Sequence, residues 1–271
     1  MSALVSTEWL ESHVYDPNLR IVEASATKES YDQAHVPGAV WVDAHRDLLH
    51  KGDDSSGDVL SPEEYAGLMR RLGITPEMMV VWYGDRQSSF AIRGLWTLDF
   101  YKHPGGARVL DGGRERWLAE QRPVTNDATV VAASVYPAPD ASDEANRATW
   151  RDVHGAIGAR EKVVLDVRSQ EEYDGRSVRA KRGGHVPGAA HVEWTDATAG
   201  ENVLRSPDEL RAMYESRGVT PDKEIITHCQ LGIRAVHTWF VLKHVLGYPH
   251  VKNYDGSWQE WGNRDDLPIE A

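Results

Sequence analysis

Short apolar runs alternate with amphipathic stretches of helical period along this chain, and the alternation occurs twice. In the first half the runs are Arg20-Ile21-Val22-Glu23, Val40-Trp41-Val42, Met79 to Tyr83 and Arg108-Val109-Leu110. In the second they are Val163-Val164-Leu165-Asp166, His191-Val192-Glu193-Trp194, Glu224 to His228 and Val251 to Tyr254. Runs this short and β-branched, bounded by turn residues, predict buried strands. Between them, helices are predicted to open at Ser61 and Ser206, each an N-cap followed by Pro and two acidic residues. A further helix over Ala235 to Leu246 carries Val236, Trp239, Phe240, Leu242 and Leu246 at helical spacing, and Gly247 stops it. Strands alternating with helices imply an α/β fold with a mostly parallel sheet covered by helices on both faces.

The two halves repeat one another. His35-Val36-Pro37-Gly38-Ala39 returns as His185-Val186-Pro187-Gly188-Ala189, and Ser61-Pro62-Glu63-Glu64 as Ser206-Pro207-Asp208-Glu209. Leu72-Gly73-Ile74-Thr75-Pro76 answers Arg217-Gly218-Val219-Thr220-Pro221, and Asp111-Gly112-Gly113 with Trp117 answers Asp255-Gly256-Ser257 with Trp261. Four matches in one order identify a duplicated domain. The stretch 125–147 is rich in Ala, Pro, Asp and Ser, includes Tyr136-Pro137-Ala138-Pro139-Asp140, and is expected to link a domain over 1–124 to one over 148–271.

Composition narrows the chemistry. A single cysteine excludes an internal disulfide and a cysteine-based metal site. No histidines pair at His-x-x-x-His spacing, so no metal and no cofactor is expected. A net charge of −12 opposes a nucleic-acid role but allows a locally positive pocket for a small anion. No apolar run approaches a membrane span, and the first residues lack signal-peptide features, so a cytoplasmic protein without membrane partners is expected.

That single cysteine, Cys229, stands where strand gives way to helix: Cys229-Gln230-Leu231-Gly232-Ile233-Arg234. A loop in this setting points successive N–H groups inward at the positive end of a helix dipole, which makes an anion cradle. Those donors and Arg234 favour the thiolate, so Cys229 is the candidate nucleophile. A structural cysteine needs neither the Gly three residues on nor the cation five residues on. The first half supplies an internal control. Its corresponding segment, Gly84 to Ser89, holds no thiol and runs two residues longer between Val81 and Trp96 than Ile226 does to Trp239. Only the second half can perform cysteine chemistry.

His228-Cys229 with a downstream arginine is similar to the His-Cys-x5-Arg loop of protein tyrosine phosphatases, which makes a cysteine-dependent phosphatase or arsenate reductase the rival. The spacing disfavours it: five intervening residues lead to Ala235, and the smaller ring of amides suits a sulfur atom better than a phosphoryl group. Cys-x-x-Gly-x-Arg, the paired His-Val-Pro-Gly-Ala turns and Asp255-Gly256-Ser257-Trp258 together resemble the rhodanese family, over nearly the whole chain. The arrangement is similar to the tandem-domain thiosulfate sulfurtransferases, and His237-Thr238-Trp239 to their bacterial branch. The resemblance implies two rhodanese-like domains, the first inactive, and a double displacement. Cys229 takes the outer sulfur of thiosulfate as a persulfide and passes it to a thiophile such as cyanide or a small thiol, or to a protein thiol. Gln230, Leu231, Gly232, Ile233 and Arg234 would hold the charged sulfur.

Departures leave the donor open. Thiosulfate-type members have basic residues after the cysteine and 3-mercaptopyruvate-type members small ones, whereas Gln230-Leu231 matches neither. Glu172 precedes Tyr173 where 3-mercaptopyruvate-binding members carry an arginine. The basic stretch Arg176, Arg179, Lys181, Arg182 is expected to steer an anionic donor, with Arg182 nearest His185. Asp166 and Arg168 are expected to form a supporting ion pair, and Trp258 and Trp261 to pack. A non-catalytic module that binds a partner or relays sulfur to one is the remaining alternative.

Overall fold

The computed structural model describes residues 3–50, 57–85, 88–199 and 203–271. They form two compact units. The first holds the residues up to His50, Val59–Asp143, Val203 and Leu204; the second holds Glu144–Ala199 and Arg205–Ala271 together with Gly57 and Asp58.

The first unit is built on a sheet of five parallel strands: β1 (Leu4–Val5), β2 (Leu19–Ser25), β3 (Val40–Asp43), β4 (Met79–Tyr83) and β5 (Ala107–Leu110), in the order β1-β5-β4-β2-β3. The second repeats it with β6 (Arg147–Ala148), β7 (Lys162–Asp166), β8 (Ala190–His191), β9 (Glu224–His228) and β10 (Val251–Tyr254), in the order β6-β10-β9-β7-β8. The central strands are the apolar runs seen in the sequence. The edge strands β1 and β6 are two residues each and leave no periodicity to detect. The run at His191–Trp194 also shortens, because a 3₁₀ turn begins at Trp194.

The described α-helices are α1 (Thr7–His13), α2 (Glu29–Gln33), α3 (Ala44–Asp47), α4 (Pro62–Arg71), α5 (Ser89–Phe100) and α6 (Gly113–Ala119) in the first unit and α7 (Trp150–Ala156), α8 (Gln170–Tyr173), α9 (Pro207–Glu215), α10 (Ile233–Phe240) and α11 (Ser257–Trp261) in the second. Helix α4 and its repeat α9 begin where the Ser-Pro pairs predicted. Ser61 with Glu64 and Ser206 with Glu209 form reciprocal capping boxes that satisfy otherwise unpaired N–H groups. The Tyr-Pro-Ala-Pro stretch lies against the first unit: the Tyr136 hydroxyl meets that of Tyr65 at 3.0 Å and His103 Nδ1 at 2.7 Å.

In the second unit α7 (Trp150–Ala156) and α11 (Ser257–Trp261) bury Val153, Ala156, Trp258 and Trp261 with Val164, Ile226 and Tyr254 of the sheet. Helix α10 (Ile233–Phe240) packs against β9 and β10 and ends in a π-helical turn, Val241–Val245, rather than continuing α-helical to Leu246. Parallel strands put the loops after β7, β9 and β10 at one edge of the sheet, where α/β proteins bind ligands. No described helix is long and apolar enough to cross a membrane.

Candidate active site

Strand β9 ends at His228, and Cys229 opens the loop that leads into α10. The turn requires Gly232, which sits at φ +71°; a Cβ there would stand 2.8 Å from both the Cα and the carbonyl oxygen of Asp255. The loop is therefore pressed against the Asp255-Gly256-Ser257 turn that follows β10. Three hydrogen bonds fix the two together. The Cys229 N–H donates to Ser257 Oγ at 3.1 Å, the Trp258 N–H to the Cys229 carbonyl at 2.9 Å, and the Gln259 N–H to the Gln230 carbonyl at 3.0 Å. Ser257 holds φ +50°, an unusual conformation for a residue with a Cβ, while its hydroxyl donates to the Tyr254 carbonyl at 2.7 Å.

The other side of the loop is tied to the segment after β7. The Arg234 guanidinium donates two hydrogen bonds to the Glu172 carboxylate, at 2.7 and 2.9 Å. Glu172, its side chain 3% exposed, also caps helix α8 (Gln170–Tyr173) by accepting from the Ser169 N–H at 3.2 Å. Burial works against the Glu172 charge, but Arg234 holds its carboxyl below the usual range. Burial likewise opposes the charge on Arg234, which Glu172 and the Cys229 sulfur together sustain. Gln230 Nε2 donates to the Arg179 carbonyl and to Gln259 Oε1, both at 3.1 Å, so it is bound to the loop's neighbours on both sides.

Beneath the loop, Asp166 and Arg168 form a buried ion pair with contacts of 2.6 to 3.0 Å, and Arg168 lies 4.2 Å over the Trp258 ring. Burial raises the Asp166 carboxyl, yet His228 and the bound Arg168 bring it below its ordinary value. His228 Nε2 is 3.5 Å from Asp166, and burial pushes the imidazole down to about 4, so it is neutral near pH 7.

Cys229 is 1% exposed. Among the described residues no hydrogen bond reaches its sulfur, and the N–H groups of Gln230, Leu231 and Gly232 also have no partner. The loop thus presents three unpaired donors, with the Arg234 charge beside them. Donors left unpaired in a loop before a helix form an anion-binding concavity.

The fold brings together Cys229 to Arg234 with Asp166 and Arg168 below them. It does not bring Arg182 to the loop. That guanidinium is bound by the carbonyls of Trp261, Arg264 and Leu267, which turns it towards the C-terminal segment. Lys181 pairs with Asp265 and Arg176 with Asp174. Within the basic stretch, Arg179 alone approaches the site, with Nε 3.7 Å from Glu172. Ser257 and Glu172 enter as supports that sequence reasoning did not assign. The recurring Asp-Gly turn was the available signal for Ser257. The Glu172–Arg234 contact joins residues 62 apart and leaves no sequence signal. Among the described residues no group of His, Cys, Asp or Glu is arranged to hold a metal ion.

Comparison with known proteins agrees with this architecture. The rhodanese-like domain model matches residues 6–120 and again 149–264. The sulfur carrier protein TtuD of Thermus thermophilus is 41% identical over 98% of this chain and 95% of its own. A putative thiosulfate sulfurtransferase, SseA, of Mycobacterium tuberculosis is 40% identical over 99% of this chain and 90% of its own. The thiosulfate sulfurtransferase of Corynebacterium glutamicum is 37% identical over the same shares. Among solved structures, YnjE superposes with a TM-score of 0.88 at 22% identity, covering 99% of this chain and 68% of that one, a likeness of fold alone. Two matched domains and whole-length relatives place this chain in the rhodanese-like family.

Proposed function

We propose that this protein is a sulfurtransferase that moves the outer sulfur of thiosulfate to a thiophilic acceptor through a persulfide on Cys229. The observation that carries the reading is the group of unpaired N–H donors at Gln230, Leu231 and Gly232, beside the only thiol in the chain and the charge of Arg234. The Cys229 thiolate attacks the outer sulfur of thiosulfate. A new S–S bond forms, the old one breaks, and sulfite leaves with its electron pair. The persulfide's negative charge would then draw on the loop N–H groups that have no other partner, donors already in place as the charge forms. A nucleophile that is 1% exposed suits a narrow donor presenting a terminal sulfur end-on. The first domain contributes no covalent step, because it holds no thiol.

A second reading is favoured by the 41% identity to a protein named a sulfur carrier: the persulfide would be delivered to a partner protein rather than to a small acceptor. Intact-mass measurement after thiosulfate treatment separates the possibilities. Gain of one sulfur, lost on adding cyanide and absent in Cys229→Ser, is the expected result. An adduct that small acceptors discharge only slowly favours the carrier. Phosphate release from an aryl phosphate without any sulfur adduct defeats both.

A further inference from the structure

A cavity of about 260 Å³ opens at the carboxyl edge of the second sheet, over the ends of β6 and β10 and so one strand away from the Cys229 loop. It is smaller than the ~300–1,000 Å³ of drug-sized sites, which restricts it to a small molecule. Two of its lining residues also touch the loop. A Cβ on Gly57 would stand 3.1 Å from the Leu231 carbonyl oxygen, and Gln259 is hydrogen-bonded to Gln230 through both backbone and side chain.

The lining carries both signs of charge. Arg147 lies between two carboxylates, with its Nε 3.1 Å from Asp255 and a terminal nitrogen 3.4 Å from Asp58. That long contact leaves Asp58 oxygens with acceptor capacity. Glu260 accepts from the Tyr254 hydroxyl at 2.7 Å and keeps its second oxygen 3.9 Å from the nearest Arg264 nitrogen. Burial raises the Glu260 carboxyl, and the Asp58 and Asp255 charges add to that rise against the Tyr254 hydroxyl and Arg264, so a cation placed between Asp58 and Glu260 favours both as carboxylates. Arg151, on the same cavity, stacks 4.5 Å over Trp150 and pairs with no carboxylate among the described residues. The lining thus holds carboxylate oxygens with acceptor capacity left and a guanidinium without a carboxylate partner among the described residues.

We propose that this cavity binds the charged head of a small zwitterionic aminothiol, with its ammonium between Asp58 and Glu260 and its carboxylate on Arg151, as the acceptor that unloads Cys229. The acceptor role rests on the persulfide reading above; the binding site does not. In the transfer, the acceptor thiolate attacks the outer sulfur of the persulfide. A sulfur–sulfur bond to the acceptor forms, the bond to Cys229 Sγ breaks, Cys229 returns as thiolate, and the acceptor's thiol proton goes to water.

The test begins with calorimetry of L-cysteine binding to the unloaded full chain. Wild type is expected to bind, and Asp58→Asn and Arg151→Gln each to weaken binding about tenfold, the loss of one charge-assisted contact. Turnover of the thiosulfate-loaded protein is then compared for L-cysteine, cysteamine, 3-mercaptopropionate and cyanide. Relative to cyanide in the same variant, Asp58→Asn is expected to impair the two ammonium-bearing acceptors and to spare 3-mercaptopropionate. Arg151→Gln is expected to impair the two carboxylate-bearing ones and to spare cysteamine. Using cyanide as the reference cancels any general loss of folded protein. No binding heat in wild type, or losses that ignore the acceptor's charges, overturns the assignment. Binding heat without any sulfur adduct on Cys229 overturns the sulfurtransferase reading and leaves the cavity assigned.

Discussion

The two units share a sheet order and a repeated sequence, yet they solve the same position in opposite ways. Where Cys229 follows β9, Gly84 follows β4. A Cβ on Gly84 would stand 2.2 Å from the Ala24 carbonyl oxygen, so backbone fills the space that a side chain occupies in the second unit. Beneath, Glu23 takes the place of Asp166 and Tyr83 that of His228. The Tyr83 hydroxyl donates to Glu23, and Arg114 comes from the Asp-Gly turn to pair with Glu23 at 3.2 Å. In the second unit the cation is Arg168, two residues after Asp166 on the same strand end, and the turn contributes Ser257 and Trp258 instead. Gly113 and Ser257 share a positive φ, +56° and +50°. Only the serine has a hydroxyl for the Cys229 N–H. The first unit is thus closed over by backbone and a Tyr–Glu–Arg cluster; it is more than the second unit minus a thiol.

The sharpest way to break that comparison is to move the thiol. Cys229→Ser is expected to reduce sulfur transfer by about a thousandfold or more. Adding Gly84→Cys to it should restore nothing, because the new side chain meets the Ala24 carbonyl. A sulfur adduct on residue 84 by intact mass would show that the first unit is closed only by sequence.

Next in size is the Glu172–Arg234 pair. Glu172→Ala leaves a half-buried guanidinium without its partner, at a cost of about 3 kcal/mol. Thermal unfolding should fall by several degrees, and hydrogen exchange should accelerate in β9 and α10 while β4 and α5 (Ser89–Phe100) keep their rates. Uniform acceleration would mean that the pair supports the whole chain rather than the loop.

Gly232→Ala follows, at about 2 kcal/mol for a Cβ at positive φ. Because the added methyl meets the Asp255 backbone, kcat should drop at least about tenfold. Unchanged kinetics would show that the loop can leave the Asp255 turn freely.

Acid sensitivity should also differ between the units. His228 and His237 are each held down to about 4 by burial, below the ~6.5 of an unfolded histidine. Between those values the unfolded chain binds more protons, so their contribution is complete above about pH 6.5 and is lost as pH falls towards 4. Each can remove up to about 3 kcal/mol. Tyr83 stands where His228 would be, so β9 should lose exchange protection on acidification before β4 does. His228→Gln should flatten that dependence by about half.

The smallest expected change is at Arg182. Removing its bonds to the C-terminal carbonyls in Arg182→Gln should lower stability by about 1 kcal/mol and leave the thiosulfate KM within about twofold. A large rise in KM would return Arg182 to the donor site.

Local chemistry made much of this protein legible. The Ser-Pro-acidic caps located α4 and α9, the apolar runs located the central strands, and the repeat gave two domains. Cys-x-x-Gly-x-Arg marked the loop, because a tight turn into a helix demands Gly232 and leaves its N–H groups unpaired. These follow from residues near one another in sequence, where propensity, capping and turn geometry act directly. The edge strands β1 and β6 were too short to carry a period. The π-helical turn at Val241–Val245 lies within an unbroken helical pattern. Arg182 looked like a substrate cation because charge is visible in a sequence while the direction of a side chain is not. Sequence alone thus determined the fold class, the duplication and the place of the chain's one thiol. Tertiary structure decided which groups surround that thiol: Glu172 on Arg234, Ser257 beneath Cys229, and backbone filling the equivalent space at Gly84. Such partners are set by the packing of segments far apart in the chain, and a contact between distant residues has no periodicity to betray it.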